Sequence, residues 1–86
     1  MSDEFNVSLT LKIYLEDYSK MDHVKKNISE KYKVSKFWEE DIGFGIKALK
    51  ASLLLNDGKG GADAVEEYLM SLEGVSQVQV EDMSRI

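Results

Sequence analysis

The sequence predicts an α+β fold in which a four-stranded antiparallel sheet carries two helices on one face. Three observations lead there. A stretch near the start alternates apolar and polar residues, two later stretches repeat apolar residues at steps of three and four, and the elements run strand, helix, strand, strand, helix, strand. The chain has 86 residues, 43% hydrophobic and 31% charged, which is globular composition. A chain this long suits one small domain over 1–86 that buries roughly 60% of the surface its unfolded form would expose.

From Phe5 to Leu15 the odd positions read Phe, Val, Leu, Leu, Ile, Leu and the even ones Asn, Ser, Thr, Lys, Tyr, so a first strand puts one side on a core and the other toward water. Ser19 followed three residues later by Asp22 resembles a capping box, predicting a helix from there to about Lys33, with Met21, Val24, Ile28 and Tyr32 as its apolar stripe. A second strand is expected within Val34 to Ile42. The adjacent Phe37 and Trp38 leave its inward side open, and an edge position with a bulge would accommodate them. The third strand, Ile46 to Leu55, sets Leu49, Ala51, Leu53 and Leu55 against Ala48, Lys50 and Ser52. "NDGKGG" is then a turn broken by Gly58, Gly60 and Gly61, and a helix from about Ala62 to Glu73 points Val65, Leu69 and Leu72 inward. Gly74 sits where a helix end favours a left-handed residue. The last strand, Val75 to Val80, alternates Val78 and Val80 with Gln77 and Gln79. This order is that of the ferredoxin-like βαββαβ sandwich, with the far side of the sheet left open.

Composition narrows the function. No segment approaches the ~20 apolar residues of a membrane span, and "MSDEFN" lacks the start of a signal peptide, so a cytoplasmic protein is expected. Without cysteine there are no disulfides, thiolate metal sites or cysteine nucleophiles. The net charge of -5 disfavours phosphate backbones, and the lysines of "KMDHVKKNISEKYK" read as the solvated side of a helix. His23 lies among those lysines, a setting for solvent exposure rather than catalysis or metal binding. Glu39, Glu40 and Asp41 read as a solvated turn, because the neighbouring sequence offers them no base, cation or nucleophile. "DGKGG" has neither the Lys-Ser/Thr end of a phosphate loop nor the ligand spacing of a calcium loop. No cofactor or metal is expected.

"IGFGIKAL" invites comparison with the base-stacking octamer of RNA-recognition motifs, which share this topology. Only Gly43, Phe44 and Gly45 match: Ile42 replaces the basic residue, and Ile46 and Leu49 replace the later aromatics. The first strand offers Asn6, Ser8, Thr10 and Lys12 where a second ring would stack. An RNA-binding module thus stays as an alternative, as does a small-molecule sensor of ferredoxin-like form.

From Ile42 to Ile86 the chain resembles the nucleotide-exchange domain of translation elongation factor 1-beta, in its compact archaeal form. The resemblance is carried by "IGFGIKALK", "NDGKGGADAVEEYL", "LEGVSQVQVED" and the basic residue in "MSRI", while residues 1–41 match mainly in pattern, including the basic "VKKNISEKY". Asp41 stands where relatives commonly have proline, and Arg85 where eukaryotic members have lysine. The resemblance implies a guanine-nucleotide exchange factor, not an enzyme, that binds elongation factor 1-alpha in its GDP form and is itself a monomer when free. It further implies that Phe44, between Gly43 and Gly45, anchors on the GTPase and that Arg85 reaches toward its magnesium. Strand parity independently predicts an exposed Phe44, on the side of Ala48, Lys50 and Ser52.

Overall fold

Alternation and stripe translate into a sheet of strands β1 (Val7–Leu15), β2 (Lys33–Gly43), β3 (Ile46–Leu55) and β4 (Val75–Arg85), with helices α1 (Met21–Lys31) and α2 (Ala62–Met70), in a computed structural model that describes residues 5–56 and 61–86. All three strand pairings are antiparallel and the order across the sheet is β2-β3-β1-β4. The expected ferredoxin-like sandwich is borne out.

The core is the dry layer between helices and sheet. Leu9, Leu11 and Ile13 of β1 face the same side as Leu53, Ala51 and Leu49 of β3 opposite them, and Val24, Ile28, Val65 and Leu69 close over them from the helices. Each of these side chains is essentially inaccessible to solvent, the outcome that the odd-numbered positions of β1 predict.

Local chemistry differs from the expectations in several places. Ser19 and Asp22 do not form a capping box. The carboxylate of Asp17 accepts the Ser19 N–H at 3.0 Å and caps a one-turn 3-10 helix, Tyr18–Lys20, from which α1 continues with Lys20 as an unassisted cap. Asp17 fills the role because it precedes the first orphan N–H groups, and that bond holds its carboxyl below the ordinary range. Helix α1 ends at Lys31, and Tyr32 turns extended while its ring packs against Tyr68. Helix α2 also stops early, at Met70, so Leu72 packs on the core from a turn. Gly74, at φ 97°, ends that turn. A Cβ there would lie 2.7 Å from the Lys20 Cβ, so the two segments approach as closely as only glycine permits. Of the "NDGKGG" turn, Gly61 is the extended cap of α2, while Gly58 and Gly60 lie outside the described residues.

Strand β2 is a bulged edge, as expected, and the bulge assigns its sides. Ser35 is the extra residue between Val34 and Lys36, so Val34, Phe37 and Glu39 face the helices whereas Lys36, Trp38 and Glu40 face away. Strand β4 is longer than the Val75–Val80 alternation indicates, and it bulges at Ser76 and at Glu81.

Candidate functional site

Gly43, Phe44 and Gly45 form the β2–β3 hairpin turn rather than the start of a strand. Phe44 and Gly45 are the two central residues, at φ 55° and 74°, and Gly43 pairs with Ile46 across the turn. Positive φ at both positions marks the mirror-image turn whose twist matches the flanking strands. Glycine adopts it freely, whereas an aromatic residue there costs ~1–2 kcal/mol. The ring projects wholly into solvent at the extreme tip, 101% exposed, and Ile42 and Ile46 beside it are 36% and 55% exposed. Parity predicts an exposed Phe44 for the wrong reason, since the pleat stops before it. This geometry also removes Phe44 from any base-stacking platform, which would need the ring on the sheet surface.

The surface away from the helices is occupied by a lattice of charges. Glu40 of β2 pairs with Lys12 of β1 and Lys50 of β3, each at 3.4 Å, and Lys50 also pairs with Glu81 of β4. The Lys50 ammonium lies 5.7 Å from the centre of the Trp38 ring, and Lys12 lies 5.5 Å from that of Tyr14. The hydrogen bond to Glu81 raises Lys50 above its usual pKa against the opposing effect of partial burial. Glu40 is lowered by the hydrogen bond from Lys50 and by the charge of Lys12. Glu39 meets Lys47 at 3.8 Å and accepts from the Tyr18 hydroxyl at 3.1 Å. Glu39 and Glu40 are thus strand residues with cations brought opposite them by the β2–β3 hairpin, as Lys47 and Lys50, and by β1, as Lys12, not a solvated turn. His23 contacts Asn27 on the exposed side of α1.

Arg85 lies at the opposite end. It pairs with Val7 at the start of β1, bordering a cavity of about 300 Å³ that Val7, Leu55, Gly61, Ala62, Met83 and Ser84 also line. The 10 residues of β3 run from one end to the other, so at about 3.3 Å each they separate the Phe44 tip from the Arg85 end by roughly 30 Å. The structure therefore groups Gly43, Phe44 and Gly45 and sets Arg85 apart from them. Sequence reasoning missed Ile42 and Ile46 as companions of Phe44. The signal was the apolar–Gly–Phe–Gly–apolar palindrome, which suits a hairpin tip. Among the described residues no cluster of His, Asp or Glu could hold a metal ion, and no helix is long and apolar enough to cross a membrane.

Comparison with known proteins places the chain in a family. Residues 8–86 match the family described as the EF-1 guanine nucleotide exchange domain. Proteins named elongation factor 1-beta are similar along most of the chain. That of Aeropyrum pernix is 37% identical over 86 residues, covering 93% of this chain and 96% of its own. That of Thermoplasma acidophilum is 37% identical over 86 residues, covering 94% and 98%, and that of Pyrobaculum arsenaticum is 44% identical over 71 residues, covering 81% and 76%.

Proposed function

Because the chain belongs to the EF-1 guanine nucleotide exchange domain family, we infer that residues 1–86 act as one exchange domain, releasing GDP from elongation factor 1-alpha in the cytoplasm so that GTP can reload it. The observation that carries the reading is the match of residues 8–86 to that family, and the exposed Phe44 tip supplies a means of docking. The domain acts without covalent chemistry, cofactor or nucleic acid, as a free monomer that seeks the GDP-bound GTPase.

Exchange needs only differential affinity. A partner that weakens GDP binding by some factor is itself bound more weakly to the GDP form by the same factor. Two contacts roughly 30 Å apart divide the task. The ring of Phe44, carried on a glycine-flanked turn that brings little bulk of its own, anchors the complex in an apolar pocket of the GTPase. Arg85, at the other end, brings a permanent positive charge to the magnesium and phosphate site, where a cation competes for the ligands that hold the nucleotide. Docking thus delivers Arg85 at high local concentration.

The experiment is release of a fluorescent GDP analogue from elongation factor 1-alpha, titrated with this protein. Acceleration by the unaltered chain is expected. Phe44→Ala should shift the titration to higher concentration, and Arg85→Ala should lower the plateau. Absence of acceleration at any concentration removes the reading.

A further inference from the structure

The side of the sheet on which Arg85 stands is set by a single inserted residue. Between the Ser76 bulge and Val80, the even-numbered residues of β4 face the helices, as Val78 and Val80 do opposite Ile13 and Leu11. Thr10 then pairs with Asp82, which leaves Glu81 as the extra residue of a β-bulge. Beyond it the odd-numbered residues face the helices, with Met83 opposite Leu9 and Arg85 opposite Val7. In an unbulged ladder Glu81 would oppose Thr10, and Arg85 would emerge on the charge-lattice side of the sheet.

The bulge has a cost that the structure offsets. It places two neighbouring carboxylates, Glu81 and Asp82, on the same side as Thr10, where like charges repel. Lys50 answers this from β3, reaching across β1 to pair with Glu81 while Glu40 and the Trp38 ring hold it from β2. Asp82 in turn accepts from the Ser84 hydroxyl at 3.0 Å. Since β4 is an edge strand, β1 alone holds its register.

We propose that the Glu81 bulge, neutralised by Lys50, is a positioning device that turns Arg85 to the helix side of the sheet, and that the GTPase is engaged from that side. This rests on the exchange reading above. Bulges re-aim a side chain beside a functional site without moving the strand that carries it, and Glu81 and Lys50 act on exchange only through where Arg85 points.

The test measures complex formation and maximal GDP release separately, with the full chain and elongation factor 1-alpha. Exchanging two neighbours, Ser84→Arg with Arg85→Ser, moves the cation to the other side without changing length or charge. Its maximal rate should fall about tenfold, to the level of Arg85→Ala, because a cation on the other side of the sheet no longer meets the magnesium site in the docked geometry. Affinity for the GTPase should stay as in the unaltered chain. Lys50→Met, which keeps a stem against Trp38, should show an intermediate loss of maximal rate at saturation. Adding Asp82→Asn to it should restore the rate by removing the repulsion, a rescue that a general loss of stability would not show. A full rate from the exchanged pair or from Lys50→Met, with Arg85→Ala still slow, overturns the proposal and leaves the exchange reading standing. A full rate from Arg85→Ala removes the role of Arg85 and the proposal together.

Discussion

The middle of the sheet and the hairpin tip use the same kind of residue for opposite ends. Leu11, Leu49 and Leu53 are sealed between sheet and helices, whereas Ile42, Phe44 and Ile46 stand in water. Burial explains the first set, since each such side chain contributes ~1.5–3 kcal/mol by leaving solvent. It cannot explain the second, and at Phe44 the backbone is strained as well. Apolar residues that add nothing to the fold, grouped on a turn that would be more stable without the ring, indicate a partner surface. Central apolar residues should therefore govern stability and those at the tip should govern docking.

The strongest attempt to break this division is Leu11→Ala. A large-to-small change at a fully buried site in the centre of β1 should cost ~2–5 kcal/mol in denaturant melts. The fraction that stays folded should still bind the GTPase with unchanged affinity. A loss below ~1 kcal/mol would contradict the packing described above.

Phe44→Ala is the converse. It should cost about 2 kcal/mol of complex formation as an interface anchor, while the melting curve of the free protein hardly moves. Ile42→Ser and Ile46→Ser sharpen the comparison. Each should weaken docking less than Phe44→Ala does, because each branched side chain is less exposed than the Phe44 ring, and titration of GDP release reads the order directly. Phe44→Asn goes further, since it makes the Asn-Gly pair that this turn type favours. The free protein should gain up to about 1 kcal/mol of stability while exchange weakens. Loss of stability in Phe44→Asn would mean that the ring contributes to the fold after all.

How far the sequence reveals these regions follows from the range of the interactions. The period-two pattern of β1 and the stripes of α1 and α2 are local, so the core is legible from Leu9, Leu11, Ile13, Val24, Ile28, Val65 and Leu69. The exposure of Phe44 is legible too, although its cause is turn chemistry, which overrides parity between two glycines. Three features were hidden because they depend on pairing between distant segments. The sides of Phe37 and Trp38 follow from the Ser35 bulge, the extent of β4 from its pairing with the start of β1, and the partners of Glu40 from strands that only the folded sheet brings together. The cap of the first helical turn departs from the Ser19 expectation for a different reason. Asp17 and Ser19 both suit a cap, and a short 3-10 turn moved the start upstream.

The smallest effect is expected from the lattice on the far side of the sheet, a third region that is neither dry core nor docking tip. Glu40 titrates below its ordinary value of 4.5 in the folded protein, held there by the Lys50 hydrogen bond and by the charge of Lys12. A depressed carboxylate contributes stability that is present above 4.5 and lost as the pH falls through the folded value. Lys50 is raised above 10.5, so its contribution is present below 10.5 and lost as the pH rises through the folded value. Stability should therefore be level across neutral pH and fall on both sides. Glu40→Gln should remove part of the acid fall, and its effect near neutrality should be smaller than that of Phe44→Asn, because exposed pairs contribute little and salt screens them. Thermal melts across pH at low and high salt separate the possibilities. An acid fall that is unchanged by Glu40→Gln would move the pH dependence to another carboxylate such as Asp17, whose bond to the Ser19 N–H also lowers it. A large loss at neutral pH would instead make the lattice a structural element comparable with the core, and the contrast between middle and tip would then no longer account for what holds this sheet together.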